Sequence, residues 1–538
     1  MSQSTLLRGV TILGAAAIIS KLLGTLQKIP MQNIGGDEAF GIYSAVFPIY
    51  TLIIFLATAG FPVAISKFVS ESLEKNNEAE AFQILKVSCI ILFLSGLLFF
   101  SLLFFGAHII ANAIDNEHTI MAIQSISFAL LFAPIMSALR GYFQGKHNMI
   151  PTAISQVIEQ FVRVFIMIIL LLYLTYNGYS NEWIAAGGTF GSTAGALAGF
   201  IVMFFIWMKE KNHIQIASTE LTIGSMLKLS KKLIHYALPV CLGSIVVPIL
   251  GIVDSFTLPR LIGIYQGLNE SHAIEQFGIY ARGLTLIQLV AMIFTSVSVA
   301  LVPLMAELKL KGHKDKIKVQ TELSIRFTWL IGIAASFGLF FCIKPILIML
   351  FENELGVLSA SILSFAIVFS VLNIVSTSIL QGLGFPFIPA VNLLIATGLK
   401  VILNVWFVSL WGIEGAALST VFAFVAASIL NLITLYRKTA FSIKFSNYFI
   451  KPIFSIVIMG ISIYIIYFGL QFIFDHIAQG LEYRLSATII SLFAVSFGAM
   501  TYLISIFVSR TISEDDLSHM PSLSNKISPL LTKIKMRK

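Results

Sequence analysis

Ile90-Ile-Leu-Phe-Leu-Ser-Gly-Leu-Leu-Phe-Phe-Ser-Leu-Leu-Phe-Phe105 is a run without a single charge and without alternation of polar and apolar positions. Val164–Leu174 has the same character. A strand of a membrane barrel would alternate a lipid face with a polar lumen face over about ten residues. These runs do not. In hydrocarbon every backbone N–H and C=O must be satisfied within the chain, which leaves the α-helix. Working outward, the 538 residues are 57% hydrophobic and only 11% charged. Mean hydropathy is +0.91. Soluble domains are about 25% charged, so this composition excludes a water-solvated surface.

A spanning helix needs about 20 predominantly apolar residues. On that basis the sequence predicts fourteen spans near 6–30, 40–66, 84–111, 120–142, 151–175, 183–208, 230–254, 275–305, 320–348, 357–381, 387–409, 413–436, 448–472 and 485–509. The expected fold is therefore an all-α integral membrane protein. The net charge of +9 does not point to nucleic acid, because the basic residues fall in short gaps between apolar runs. With the N-terminus inside, twenty-six Lys and Arg fall in inside segments and only Arg260, Lys344 and Arg484 outside. That bias is the positive-inside rule, and it places both termini in the cytoplasm. The expected location is the cytoplasmic membrane. The basic segment 511–538 is expected to lie against anionic headgroups. Cys89, Cys241 and Cys342 each stand alone in an apolar segment, as small core residues do. The first segment has no A-x-A cleavage site and is expected to be retained.

The chain repeats itself. Phe40-Gly41-Ile42-Tyr43 recurs as Phe277-Gly278-Ile279-Tyr280, and at the same offset Thr58 meets Thr295. Gln144-Gly145 before Pro151 is echoed by Gln381-Gly382 before Pro389, and Arg163 by Lys400. The Gly187, Gly191, Gly195 ladder is echoed by Gly412 and Gly415. Ordered matches of this kind predict two pseudo-symmetric six-helix lobes, 1–210 and 228–438. An even number of spans per lobe gives a parallel repeat, with the transport path between the lobes. Residues 447–510 add two C-terminal helices outside the repeat.

Ionisable residues inside spans cost about 2.5–3.5 kcal/mol each at mid-helix, so each is expected to face a cavity or a partner. Lys21 and Lys28 are seven apart and share one face of the first helix. Arg282 follows the second Phe-Gly-Ile-Tyr and has no carboxylate within one turn. Arg163 has Glu159 four residues earlier, with Gln156 and Gln160 on the same stripe. Lys400 lies on a similar stripe with Asn392 and Asn404. For these two stripes substrate contact and a structural network remain open. Asp254 with Arg260 reads as a structural or gating pair at a helix end, and Arg140 and Gln144 as further members of a polar network. Arg326 is expected to snorkel. The expected cavity is cationic and suits an anion such as a phosphate or pyrophosphate. No nucleophile elbow, paired-carboxylate site, phosphate loop or metal-ligand cluster appears, which argues against an enzyme and for the absence of a metal or cofactor.

Arg140-Gly-Tyr-Phe-Gln144-Gly145, with Asn148, Pro151, Gln156, Glu159 and Arg163, resembles the polysaccharide-transporter branch of the multidrug/oligosaccharidyl-lipid/polysaccharide exporter superfamily. Phe61-Pro62-Val63-Ala64-Ile65-Ser66-Lys67 supports the likeness, which extends to the stage V sporulation protein B and MurJ-type lipid II flippases. The resemblance implies a flippase for undecaprenyl-pyrophosphate-linked sugars, with the peptidoglycan precursor lipid II as leading substrate. It also implies a groove for the lipid tail in the last two helices. Ser20-Lys21-Leu22-Leu23-Gly24 matches the family's Ser-Arg-x-Leu-Gly run with lysine for arginine, and Arg282 matches its cavity arginine. The second helix departs from the family, since Phe47-Pro48 runs into Ile49-Tyr50 where the family has arginines. Expected partners are the lipid-linked glycan and membrane lipids, with a monomeric chain. Coupling to the membrane potential or to a monovalent cation is left open. Export of another lipid-linked polysaccharide unit and a drug/cation antiporter of the same superfamily are the alternatives. The antiporter would want twelve spans and carboxylates in its lumen.

Overall fold

A computed structural model of the chain describes residues 3–211, 222–442, 446–476, 482–509 and 511. Every regular element among them is helical. In chain order these are α1 (Gln3–Leu26), α2 (Lys28–Thr58), α3 (Phe61–Glu74), α4 (Glu78–Phe105), α5 (Ala107–Ile114), α6 (Ile120–Ser127), α7 (Ala129–Gly145), α8 (Ile150–Tyr176) and α9 (Asn181–Lys211). Then come α10 (Ile223–Gln266), α11 (Glu270–Leu310), α12 (Lys314–Phe351), α13 (Val357–Ser364), α14 (Ala366–Gly382), α15 (Phe387–Thr439), α16 (Lys451–His476) and α17 (Tyr483–Val508). The basic tail expected over 511–538 falls, beyond Thr511, outside the described residues.

Among the described residues, twelve helical stretches are long and apolar enough to cross a bilayer. Two of them, Thr11–Glu74 and Phe387–Thr439, run for 64 and 53 residues, far beyond one crossing. Each breaks at a glycine whose backbone leaves the helical region, Gly36 (φ 79°, ψ 176°) and Gly412 (φ 56°, ψ −130°). Both φ values are positive, where a side chain would be strained. Split at these turns, the stretches give the fourteen spans expected. The boundaries move where the chain turns on something other than a charge. The expected second span, 40–66, is interrupted at Ala59–Gly60, and the helix resumes as α3 at Phe61-Pro62, proline being at home in a first turn. α4 begins at Glu78 rather than 84, because Asn77 Oδ1 accepts from the Glu80 backbone N–H at 3.0 Å and two glutamates face the amino end.

The helices form two compact units, residues 1–292 with 390–423 and residues 293–389 with 424–538. This division differs from the expected lobe boundaries, since α10, the first half of α11 and residues 390–423 of α15 cluster with the N-terminal helices. Lipid supplies no hydrophobic drive between helices, so close packing on small residues must hold each unit together. In the first unit Gly41 and Gly278 cross backbone to backbone. A Cβ on Gly41 would lie 2.0 Å from the Ile274 carbonyl, and one on Gly278 2.1 Å from the Asp37 carbonyl. The repeated Phe-Gly-Ile-Tyr is thus a helix crossing made by the two copies against each other. Gly141 and Gly145 seat α7 on α3, against Pro62, Ser66 and Val69. The ladder on α9 seats it on α8, with Gly191 against the Arg163 carbonyl and Gly195 against the Glu159 carbonyl.

In the second unit Gly382 meets the Val302 carbonyl much as Gly145 meets that of Ser66 in the first, which gives the repeated Gln-Gly a packing reason. Ser336 Oγ accepts from the Val368 N–H at 3.1 Å, joining α12 to α14. The added pair is tied in by Tyr502 of α17, whose hydroxyl donates to the Leu330 carbonyl at 2.8 Å, and by Ser505 on Ser455. Arg326, expected to snorkel, instead donates to the Thr511 carbonyl. Cys241 and Cys342 are buried and Cys89 half-buried, as apolar segments require.

The glycine crossing can be tested directly. Gly278→Ala forces a carbonyl to move and should cost about 1–3 kcal/mol, the usual range for overpacking. Gly338→Ala, in open space, should cost nothing measurable. Thermal unfolding of both variants in detergent checks the difference.

Candidate substrate cavity

Lys21 and Lys28, expected on one face of the first helix, fall on two consecutive helices, α1 and α2. They line a cavity of about 540 Å³ together with Ser20, Thr25, Tyr43, Ser44, Gln156, Gln160, Arg163, Asp254 and Gln288, all in the first unit. α1 brings Ser20 and Lys21, and Ser20 Oγ donates to the Gln156 carbonyl at 3.3 Å, fixing α1 along α8. The chain turns at Gln27, whose Nε2 donates to Tyr43 Oη at 2.9 Å, and Lys28 opens α2. Lys28 Nζ then donates to Gln288 Oε1 at 2.8 Å. Its partner there is an uncharged amide rather than a carboxylate.

Arg163 reaches the same cavity from α8. Glu159 Oε1 is 3.5 Å from its Nη2, while Glu159 Oε2 accepts from Arg140 Nη2 at 2.9 Å. Arg140 Nε also donates to Ser155 Oγ at 2.9 Å. One carboxylate therefore serves two guanidinium groups, and the nearer one is Arg140. Arg163 Nε is buried and without a partner, as is Gln160 Oε1. Both atoms belong to residues of the cavity wall, where a ligand could satisfy them at the usual worth of about 1–3 kcal/mol for a buried polar group. Gln144 lies half-buried one turn beyond Arg140. The expected stripe of Gln156, Glu159, Gln160 and Arg163 is real, and only the second arginine on Glu159 was not foreseen as its partner.

Two expected substrate contacts are committed elsewhere. Arg282, fully buried, holds Asp37 through both ends of its guanidinium, Nε donating to Oδ1 at 2.8 Å and Nη2 to Oδ2. The carboxylate comes from α2, one helical turn before Gly41, at the crossing with Gly278. Arg282 is not among the residues of the cavity wall, though Ala281 beside it is. Lys400 is likewise buried, its Nζ 2.6 Å from Asp254 Oδ2. Asp254 also accepts from Tyr280 Oη at 3.1 Å and from Asn404 Nδ2 at 3.3 Å, and Tyr280 meets Thr420 at 2.7 Å.

The expected pairing of Asp254 with Arg260 is thus corrected. Asp254 lies in the middle of α10 rather than at its end, and Arg260 is exposed. Six residues apart on a helix, the two point to different faces. Asn392 is buried on α15, two turns before Lys400. Asp37, Tyr280 and Thr420 were missed by sequence reasoning. Asp37 fell between predicted spans, and only the crossing brings it to Arg282.

The electrostatic result is lopsided. Asp254 on the wall is bound by Lys400, Glu159 is shared by Arg140 and Arg163, and Asp37 is held by Arg282. Lys21, Lys28 and Arg163 leave the wall positive. Glutamines and hydroxyls supply donors and acceptors beside them. Such a lining can hold an anionic group and hydrogen-bond a polyhydroxylated one.

Breaking the Asp254–Lys400 pair measures its structural share. Removing one partner of a buried pair strands a charge and typically costs about 3–5 kcal/mol, whereas replacing both is far milder. Lys400→Met should lower the thermal unfolding temperature in detergent markedly. Asp254→Asn with Lys400→Met should recover most of the loss.

The chain matches known proteins along most of its length. The model of the polysaccharide biosynthesis protein family matches residues 6–309, and that of the MatE family residues 275–406. The uncharacterized membrane protein YabM of Bacillus subtilis (strain 168) is 33% identical, over 97% of this chain and 96% of that protein. The lipid II flippase MurJ of the same organism is 28% identical, over 93% of this chain and 95% of its own length. Among solved structures, a lipid II flippase MurJ in an inward closed conformation superposes with a TM-score of 0.66 at 15% identity, covering 93% of this chain and 98% of that one.

Proposed function

The chain belongs to the polysaccharide biosynthesis protein family, a multi-pass membrane protein related to flippases and transporters, and from that premise we propose that it flips a lipid-linked glycan. In this reading the cargo is an undecaprenyl-pyrophosphate-linked oligosaccharide, with the peptidoglycan precursor lipid II as first candidate. The observation that carries it is the sign of the cavity. Lys21, Lys28 and Arg163 face it, while Asp254 is bound by Lys400 and Glu159 is shared between Arg140 and Arg163. A pyrophosphate brings the negative charge that such a wall lacks, and Arg163 Nε is a donor in want of an acceptor. Gln156, Gln160 and Gln288 stand beside the cations to hydrogen-bond sugar hydroxyls.

The proposed mechanism is alternating access. The anionic headgroup enters the cavity, the prenyl tail stays in lipid, and the repeats 1–210 and 228–438 rock about the bound group. Binding energy spent on the pyrophosphate offsets the cost of carrying its charge through a low-dielectric layer. No covalent step is required of the protein. Both termini are assigned to the cytoplasm and the membrane to the cytoplasmic one, on the charge bias of the loops. Arg282 and Lys400 act in this scheme through their carboxylate partners, holding the crossing and the α10–α15 contact that shape the wall.

A cationic-drug antiporter would need a carboxylate open to the cavity. Asp254 is the acid on the wall, and its oxygens are engaged by Lys400, Tyr280 and Asn404.

The test is transport of a fluorescent undecaprenyl-pyrophosphate-linked sugar in proteoliposomes. Charged hydrogen bonds are worth about 1.5–3 kcal/mol, so Lys28→Ala and Arg163→Ala should each slow transport about tenfold to a hundredfold. Lys344→Ala, an exposed residue paired with Glu354 in the second unit, should transport normally. Normal rates from folded Lys28→Ala and Arg163→Ala proteins would sink the pyrophosphate grip.

A further inference from the structure

His118 sits where three helix starts meet. It lies in the short 3-10 turn Glu117–Thr119. Its Nδ1 is 2.5 Å from Glu182 Oε1, in the first turn of α9, and its Nε2 is 3.2 Å from Ser271 Oγ, in the first turn of α11. The same turn takes hold of Glu270 twice. The Glu117 backbone N–H donates to Glu270 Oε2 at 2.9 Å, and Asn116 Nδ2 donates to the Glu270 carbonyl at 2.9 Å. Residues 116–118 of the first repeat are thereby fastened to residues 270–271 of the second, within one compact unit. All these segments lie on the side that the charge bias assigns to the outside.

The chemistry of the ring gives the clasp a direction. With a carboxylate at Nδ1, the neutral ring carries its proton there, and Nε2 accepts from the Ser271 hydroxyl. A second proton turns Nε2 into a donor, which the Ser271 oxygen can accept in turn. No bond is lost, and a positive charge now lies among carboxylates. The titratable groups around the ring are Glu182 on α9, Glu270 on α11 and Glu117 in its own turn. Glu38 on α2 stands one step further out, accepting from Asn181 at 2.7 Å. These are acids and favour a charge on the ring, while the one imidazole nearby in sequence, His272, turns to Asn269 Oδ1 at 2.7 Å. Protonation of His118 therefore tightens the fastening.

We propose that His118 is a positioning residue of the outer gate, whose protonation holds the two repeats together on the outside and slows opening of the cavity to that side. Its purpose rests on the flippase reading, but its measurement does not. The probe is a membrane-impermeant methanethiosulfonate reagent added outside spheroplasts that express the full chain. Cys89, Cys241 and Cys342 are replaced by alanine, and Ser44→Cys reports from the cavity wall. Its modification rate is taken relative to Asn177→Cys, an exposed control on the same outer side.

On going from about pH 7.5 to about 5.5, that relative rate should fall about two- to fivefold, the effect of one part-exposed charge interaction. His118→Gln and Glu182→Gln should each abolish the fall. A pH-independent rate in the parent, an undiminished pH response in both variants, or an Asn177→Cys that resists the external reagent overturns the proposal. The intended pH response in a protein that moves no lipid-linked sugar would leave the gate standing and remove the flippase reading instead.

Discussion

Gly41 and Gly278 touch through their backbones, and no residue with a side chain could occupy either place without moving a carbonyl. In lipid this is the kind of contact that holds helices together, because apolar side chains gain nothing by leaving apolar solvent. The approach is also what allows Asp37, four residues before one glycine, to reach Arg282, four residues after the other. Held apart by a methyl group, the two charges would sit uncompensated in a medium that penalises each by several kcal/mol. The fully buried tyrosines of the same motif follow from the crossing. Tyr43 accepts from Gln27 at the turn before α2, and Tyr280 donates to Asp254 on α10. Cavity wall and crossing are two sides of one piece of packing.

The ion pairs divide by their depth and by their partners. Lys400 and Asp254 are both buried and matched one to one, which favours a fixed joint. Glu159 is matched to two arginines, which leaves Arg163 under-compensated at the cavity. The difference is a matter of counting carboxylates, and it explains why neighbouring charges of the same family of spans can serve structure in one case and ligand in another. The glycine ladder of α9 completes this. By letting one backbone lie against the carbonyls of Glu159 and Arg163, it fixes the rung of α8 that carries both.

Much of this was readable from residue order. Span number followed from hydropathy and loop charge, because both are set by the bilayer and not by partner helices. The turn between the eleventh and twelfth spans fell at Gly412 as the apolar runs suggest. Lys21, Lys28 and Arg163 were visible as cations within predicted spans, and the Glu159–Arg163 stripe as a pair one turn apart. What could not be read was every pairing across sequence distance. Arg140 reaches Glu159 over the turn between α7 and α8, Asp254 meets Lys400 rather than Arg260, and Asp37 looked like a loop acid. His118, one of several scattered histidines, carried no local signal at all, since Glu182 and Ser271 lie far along the chain.

The sequence by itself determined that this is a helical membrane protein with a repeated core and with cations inside its spans, because the cost of burying a peptide group or a charge in hydrocarbon depends only on the residue and its depth. Which cations face the cavity and which are neutralised was decided by tertiary structure alone. A charge is compensated by whatever carboxylate the packing brings within about 4 Å, and that distance is set by glycine contacts between helices, not by neighbours in the chain.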